Sequence, residues 1–397
     1  MISVLDIRST REAERLMRQI KVDEYGIRIM APKAVTRVVR IDGVPNFAAN
    51  ILKQEMLSLG GDVAVARDAL TGRGKKSSCV LIGNLSQLAR LNEKLLIQPF
   101  GLADISRRLQ KVLDGYAADG LVIEAAGCLI RTAGRTLIMG IINNTPDSFS
   151  GDGLLTRTFA EAVAKAREMV AEGADMIDVG GESSRPQAKP VPLKEEIRRT
   201  IPLIKALKRA IKVPISIDTC KPEVARQALD NGAAIVNDIT ALRDKRMRKV
   251  VMRYRAAAVL MHMKGTPRTM QQAPVYEDVV LEVKEFLHNA LLRAEEDGIK
   301  RSSLFIDPGI GFGKTVEHNL QILRRLREFR SLGRPILVGT SRKSFIGRIA
   351  RAEVSERVFG TAASCVLAAE NGAHIVRVHD VRQVRQALDI ADSIRKA

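Results

Sequence analysis

From residue 137 onward, short apolar runs alternate with amphipathic stretches. The amphipathic stretches repeat with the spacing of a helix face and include residues 159–172, 195–210, 279–296 and 316–330. The apolar runs are short enough to be buried strands and cover residues 137–142, 176–179, 214–217, 234–236, 257–261, 304–306, 335–338 and 374–378. Alternating strands and helices predict a parallel sheet covered by helices.

The number of predicted units distinguishes two α/β architectures. Eight strand–helix units in this length fit a (βα)8 TIM barrel, which typically needs about 250 residues. A doubly wound open sheet is the alternative, but it usually has fewer strands and a GxGxxG turn after its first strand. The first strand here lacks that turn, so we predict the barrel.

The region before the barrel predicts a separate α+β domain. Strands are expected at 35–41 and 79–82, and helices at 46–59, 85–96 and 102–113. Residues 72–78 resemble the end of a phosphate loop but lack its spacing, so we interpret them as a flexible basic loop. Residues 121–134 predict a hairpin at the bottom of the barrel. We place the domains at 1–118, whose role is open, and 119–397.

Composition restricts the partners of the chain. A hydrophobic content of 46% and a charged content of 27% are typical of soluble globular proteins. The net charge of +19 raises nucleic acid as a partner, but the basic residues are spread out, and four Tyr and no Trp offer few stacking surfaces. We therefore expect no nucleic acid partner, and a basic surface would also attract an anionic substrate.

The location is expected to be cytoplasmic. The first twenty residues are rich in charge, which argues against a secretory signal, and no apolar run approaches the ~18 residues of a membrane span. The four cysteines lie far apart without a CxxC pair, as in proteins with reduced thiols.

Polar side chains lie at or just after the end of every predicted strand. A single aspartate at such a place commonly caps the next helix. Eight sets in phase are different, because the carboxyl ends of barrel strands converge on one mouth. In chain order these residues are Asn143; Asp178, Glu182, Ser184 and Arg185; Asp218; Asn237 and Asp238; His262; Asp307; Ser341, Arg342 and Lys343; and Arg377, His379 and Asp380.

The side-chain types suggest two kinds of chemistry. Asp218, Asn237, Asp307 and Lys343 would suit a planar ring with adjacent N–H and NH2 donors, such as a 2-amino-4-oxopyrimidine. Asn143, Arg185, Arg377 and His379 would suit a pyrophosphate with Mg²⁺ held mostly by substrate oxygens. The spacing does not favour a dedicated zinc site. Ser341 has no His at motif spacing, so a serine nucleophile is not expected.

At these residues the chain resembles the dihydropteroate synthases. The family motif N-x-T-P-D-S-F-S is matched at 143–150 and G-G-E-S-T-R-P at 180–186, with Ser184 in place of Thr. The motifs S-I-D-T, N-D, D-P-G-I-G-F-G-K, S-R-K and R-V-H-D follow in order, at 216–219, 237–238, 307–314, 341–343 and 377–380. The first loop departs from the usual S-D-G-G, since Gly151 and Asp152 are exchanged.

The resemblance implies a transferase of folate biosynthesis that uses Mg²⁺. It would join 6-hydroxymethyl-7,8-dihydropterin pyrophosphate to p-aminobenzoate after pyrophosphate has left. The implied roles are pterin binding by Asp218, Asn237, Asp307 and Lys343; pyrophosphate binding by Ser184, Arg185, Arg377 and His379; p-aminobenzoate binding by Phe149, Pro186, Phe312 and Ser344; metal binding by Asn143; and catalysis by Asp218, Lys343, Arg377 and His379. We expect a homodimer acting on these small molecules.

Two other functions stay open at this point. A pterin-dependent methyltransferase, which moves a methyl group from a reduced folate to a corrinoid protein, would share the pterin carboxylates. It would not need the pyrophosphate residues Arg185, Arg377 and His379. A non-catalytic paralogue is the third possibility, and complete catalytic positions argue against it.

Overall fold

The computed structural model describes residues 1–71, 74–144, 159–183 and 188–396, and it separates into two units, Met1–Ala117 and Ala118–Ala397. The first unit contains helices, strands and one 3-10 turn (Ala31–Ala34). Its elements are α1 Thr10–Gln19, α2 Glu24–Met30, β1 Thr36–Pro45, α3 Asn46–Ser58, β2 Asp62–Val65, α4 Arg67–Thr71, β3 Lys76–Asn84, α5 Leu85–Leu96 and α6 Leu102–Ala117.

An antiparallel sheet organises the first unit. Its strand order is β1-β3-β2. Alternate residues such as Val63 and Leu81 are buried against Leu52 and Leu91 of α3 and α5, as expected for a sheet with one covered face. The interpretation of 72–78 as a loop is wrong for residues 76–78, which pair in β3; residues 72–73 lie outside the described residues.

The second unit is a closed barrel, which confirms the predicted fold. After a hairpin, β4 Val122–Ala125 and β5 Cys128–Arg131, the barrel strands and helices alternate, with two helices between the last two strands. They are β6 Leu137–Asn143, α7 Phe159–Ala171, β7 Met176–Gly180, α8 Leu193–Ala210, β8 Ile215–Asp218, α9 Pro222–Asp230, β9 Ile235–Asp238, α10 Lys245–Tyr254, β10 Ala257–Met261, α11 Val279–Glu296, β11 Leu304–Asp307, α12 Val316–Arg324, β12 Leu337–Val338, α13 Ser344–Ala350, α14 Val358–Glu370, β13 Ile375–Val378 and α15 Val381–Lys396.

Parallel pairing runs through the order β11-β10-β9-β8-β7-β6-β13-β12, and a parallel bridge between Ile306 and Ile336 closes the circle. The strands are mostly apolar because both of their faces are buried. Along β7, for example, Ile177 belongs to the cluster beneath the helices, whereas Met176 belongs to the cluster inside the barrel.

The hairpin β4–β5 closes the bottom of the barrel, as predicted. Ile123 and Ile130 share a buried cluster with interior residues of the strands, among them Met139 and Phe305. Its turn has positive φ at both central residues, 45° at Ala126 and 88° at Gly127, as in a type I′ turn.

One predicted helix is shorter than expected. The helix expected over 316–330 ends at Arg324 and is followed by a 3-10 segment, Leu326–Leu332, that ends at Gly333 with φ 64°. The four cysteines are free thiols. Within the described ranges, the helices fall short of the length and apolarity needed to cross a bilayer.

Candidate active site

Four barrel strands bring their carboxyl ends into one hydrogen-bonded cluster. Arg377 on β13 donates from Nε to Asp178 Oδ2 at 2.6 Å and from Nη2 to Asp218 Oδ2 at 2.8 Å. Asn237 on β9 donates from Nδ2 to Asp178 Oδ2 at 3.0 Å. The predicted residues Asp218, Asn237 and Arg377 are therefore close together, with Asp178 between them.

Asp178 had no assigned role in the sequence prediction. Its side chain is fully buried, and among the residues that the structure describes its Oδ1 is a buried oxygen with no hydrogen-bond partner. A signal was present in the sequence. Alternation along β7 places residue 178 on the same inner face as Met176, and a carboxylate inside a barrel needs a cationic partner.

Burial changes the charge balance of this cluster. Desolvation raises the pKa of Asp218 to about 7, although the Arg377 guanidinium opposes the shift and Asp178 adds to it. Desolvation works against the charge of Arg377, but Asp178 and Asp218 outweigh it, and the pKa of Arg377 is raised. The guanidinium stays cationic, while Asp218 can exchange a proton near neutral pH.

A second group of predicted residues lies around β11. The Asp307 carboxylate accepts the N–H of Gly309 at 2.7 Å, and burial raises its pKa to about 6. Lys343 Nζ lies 4.1 Å from the centroid of the Phe312 ring, within cation–π range. Ser344 follows as the exposed first residue of α13. The charges of Arg377 and Lys343 both lower the pKa of Asp307, so this group faces the first cluster.

A buried lysine shapes the loop that carries Phe312. Lys314 is 3% exposed and donates to the carbonyl oxygens of Gly309 and Phe312, each at 2.9 Å. Its third contact is His262 Nδ1, also at 2.9 Å. Burial lowers the pKa of His262, so the imidazole is neutral and can accept this hydrogen bond. His262 therefore supports the loop.

His379 and its neighbours lie at the end of β13. His379 Nδ1 is 3.0 Å from Ser341 Oγ, which also accepts the His379 N–H at 3.2 Å. Arg342 forms an ion pair with Asp380 at 2.7 Å. His379 follows β13 directly, two residues beyond Arg377, and its ring lies beside Ser341, which follows the neighbouring strand β12.

Asp238 is structural. Its carboxylate accepts the N–H of Thr240 at 2.8 Å and that of Leu242 at 3.1 Å, which shapes the turn after β9. This matches the common capping use of a strand-end aspartate.

Asn143 ends β6 next to the first cluster. A Cβ atom added at Gly180 would lie 3.2 Å from Asn143 Oδ1 and 3.9 Å from Asp218 Oδ2. Because Gly180 has no side chain, the Asn143 amide and the Asp218 carboxylate can approach each other there. In the described part of the chain, no three His, Cys, Asp or Glu side chains converge as a metal site. The predicted residues Phe149, Ser184, Arg185 and Pro186 lie outside the described residues.

Comparison with known proteins gives consistent matches. Residues 139–379 match the family described as pterin binding enzyme. A dihydropteroate synthase of Synechocystis sp. is 47% identical over 262 residues, which are 66% of this chain and 90% of that protein. The solved dihydropteroate synthase of Xanthomonas albilineans, in complex with 7,8-dihydropteroate, is 41% identical with a TM-score of 0.63 and covers 70% of this chain and 99% of its own.

A third relative extends over the first unit as well. A probable bifunctional folylpolyglutamate synthase/dihydropteroate synthase of Halobacterium salinarum is 40% identical over 391 residues, 98% of this chain but 47% of that protein. The motifs, the barrel and these matches agree. The chain therefore belongs to the dihydropteroate synthase family of pterin-binding transferases.

Proposed function

We propose that the mouth of the barrel condenses 6-hydroxymethyl-7,8-dihydropterin pyrophosphate with p-aminobenzoate to give 7,8-dihydropteroate and pyrophosphate. The observation that carries this proposal is the cluster of Arg377 with Asp178, Asp218 and Asn237. It combines acceptors for a pterin with a cation that can neutralise a leaving group.

In this proposal the pterin is bound by acceptors on three strands. The ring N–H and NH2 groups donate hydrogen bonds to Asp218, Asn237 and Asp307, and Lys343 donates to the oxo group or a ring nitrogen. The buried carboxylates, whose pKa values are raised to about 7 and about 6, gain donors when the ring binds. Such charge-assisted hydrogen bonds are the stronger kind.

The pyrophosphate is held by Arg377 on β13 and His379 just after it, together with Ser184 and Arg185. Pterin donors compete with Arg377 for Asp218, and this competition frees Nη2 for the leaving group. The amide oxygen of Asn143, beside Asp218, is a hard donor that fits Mg²⁺. When bound, Mg²⁺ would neutralise charge on the pyrophosphate oxygens.

The bond changes need little proton transfer from the protein. The bond between the pterin methylene carbon and the pyrophosphate oxygen breaks first, and its electron pair leaves with the pyrophosphate. The amine lone pair of p-aminobenzoate then forms the new C–N bond, and the nitrogen loses a proton to water. In this proposal the aryl ring is bound by Phe149, Pro186, Phe312 and Ser344. Because the bound ring excludes water, its amine captures the pterin cation before water does.

A methyltransferase would use the same pterin acceptors, but it has no pyrophosphate to bind. The position of Arg377 and His379 at one mouth with Asp218 supports the synthase. A pyrophosphate-release assay in which each substrate is omitted in turn tests the choice. If the proposal is right, sustained release of pyrophosphate requires both substrates. If the protein is a methyltransferase, it instead transfers a methyl group from a reduced folate and releases no pyrophosphate.

We also propose that the protein is a cytoplasmic homodimer. The free cysteines suit a reducing compartment. On α14 and α15, Phe359 is 85%, Leu367 60%, Ile390 65% and Ile394 72% exposed, as is usual for a surface that another molecule covers. Light scattering should give twice the chain mass, and Phe359→Asp should shift it towards one chain.

A further inference from the structure

Helix α8 contacts the chain immediately beyond three neighbouring strands. Asn144, which follows β6, donates from Nδ2 to the Arg199 carbonyl oxygen at 2.9 Å. Arg199 Nη1 donates to the carbonyl oxygen of Gly181, after β7, at 3.1 Å. Thr219, after β8, donates to Glu196 Oε1 at 2.6 Å. One helix thus joins the starts of the first and second loops to the residue that follows Asp218.

A charged group strengthens this connection. Lys221 Nζ bonds both Glu182, in the second loop, and Glu196. Glu182 also accepts the N–H of Val191 at 3.3 Å, so its carboxylate joins the two described ends of that loop. The Glu196 side chain is fully buried. Burial raises its pKa, whereas the hydrogen bonds from Lys221 and Thr219 hold the charge.

The contact between helix and loop is close. A Cβ atom at Gly181 would lie 2.6 Å from Thr200 Cγ2 and 3.1 Å from Glu196 Cγ. The Arg199 side chain is 11% exposed and is held by Glu195 at 2.7 Å. The base of the second loop therefore rests directly on the helix, where a largely covered, hydrogen-bonded arginine has little freedom to move.

We propose that Glu196 and Arg199 are positioning residues that fix the bases of the first and second loops relative to Asp218. The inference rests on the proposed function, in which these loops hold p-aminobenzoate against the pterin. Neither residue would touch a substrate. Their effect would be geometric, and a displacement of about 1 Å can cost about a hundredfold in rate.

Arg199→Met is the test, with Arg198→Met as its matched control. Arg198 binds the same Glu195 carboxylate at 2.8 Å, but its side chain is 73% exposed and, among the described residues, Glu195 is its hydrogen-bond partner. We expect Arg199→Met to raise KM for p-aminobenzoate about tenfold and the ratio of hydroxymethylpterin to dihydropteroate about fivefold. The affinity for a pterin analogue should stay within about twofold, and Arg198→Met should behave as wild type.

Arg199→Lys should fall between wild type and Arg199→Met, because lysine keeps the charge without the planar fork. If Arg199→Met does not accumulate as folded protein, the lysine variant carries the comparison. The inference would be overturned if Arg199→Met couples the two substrates as well as Arg198→Met does, or if it loses affinity for both substrates equally. In either case, activity of the wild-type protein would still uphold the proposed function. A wild-type protein that forms no dihydropteroate would overturn both.

Discussion

Arg377 and Asp218 form an ion pair across the mouth of the barrel, with Nη2 2.8 Å from Oδ2, although their strands β13 and β8 are separated by β7 and β6. The sequence prediction assigned Arg377 to the pyrophosphate and Asp218 to the pterin. In the structure the Arg377 guanidinium connects the residues assigned to pyrophosphate with those assigned to the pterin. Binding of the pterin and release of the leaving group should therefore depend on the same side chain.

Replacing Arg377 should damage both activity and stability. Arg377→Met leaves the fully buried Asp178 carboxylate without its cation, and breaking a buried pair costs about 3–5 kcal/mol. Denaturant unfolding should show this loss, and steady-state kinetics should show kcat/KM lowered at least about a hundredfold.

Arg342→Met is the matched control for that variant. Its pair with Asp380 is more exposed, with 39% of the Arg342 side chain accessible, and pairs of this kind contribute about 0–1 kcal/mol. Equal losses of unfolding free energy in the two variants would contradict the importance of the buried cluster.

Pterin binding should release protons below neutral pH. The pKa of Asp218 is raised from 3.8 to about 7, and ring N–H donors would favour its ionised form. Binding would lower that pKa, so affinity should rise as the pH rises towards 7. Calorimetry at about pH 6.5 in two buffers of different ionisation enthalpy measures the release. Asp218→Asn should remove most of it and leave the smaller release from Asp307, whose pKa is raised to about 6, and buffer-independent heat in the wild type would refute the assignment.

The Asp218 carboxyl affects folding in the opposite direction: pterin affinity rises with pH, whereas its contribution to stability falls. Because the folded-state pKa lies above the unfolded value, Asp218 stabilises the free protein most below about pH 4. That contribution is lost as the pH rises through about 7. Between these pH values the unfolding free energy of Asp218→Asn should therefore rise relative to that of wild type. Parallel pH profiles of the two proteins would contradict the raised pKa of Asp218.

Asp307→Asn and Lys343→Ala should weaken pterin binding. Each leaves a ring group or a protein group without its partner, which costs roughly 1–3 kcal/mol. Lys300→Ala is a suitable control, because Lys300 pairs with Glu124 of the bottom hairpin and is 65% exposed. Equilibrium binding of a pterin analogue decides the matter: affinities in both site variants equal to that of Lys300→Ala would remove their assigned roles.

The second unit should fold and act without the first. Its sheet is closed and its bottom is covered by its own hairpin, so residues 118–397 include a complete core. The fragment should unfold cooperatively and retain synthase activity. An insoluble or inactive fragment would show that residues 1–117 are integral to the enzyme.

Most of the fold could be predicted because the barrel strands are buried on both faces. Each becomes a short apolar run that ends in a polar residue, and those endings also located Asp218, Asn237, Asp307 and Arg377. Short elements such as β2 and α4 were missed, because four or five residues carry too little periodicity. The roles of Phe149, Ser184, Arg185 and Pro186 stay predictions.

The contacts between distant strands could not be predicted in the same way. Nothing local marks Asp178 as the partner of Arg377, because the pair depends on barrel closure. Glu196 and Arg199 look like ordinary charged positions of an amphipathic helix. Their contacts with Thr219, Asn144 and Gly181 arise from how α8 lies across three strand ends.

The most direct test of the proposed function is the fate of p-aminobenzoate labelled at its amine nitrogen. The protein is incubated with this substrate, the dihydropterin pyrophosphate and Mg²⁺, and the products are identified by mass spectrometry. We predict labelled 7,8-dihydropteroate and pyrophosphate in equal amounts, with no labelled product when either substrate is omitted. Pyrophosphate released without a labelled adduct at saturating p-aminobenzoate, or no turnover at all, would contradict the proposed reaction.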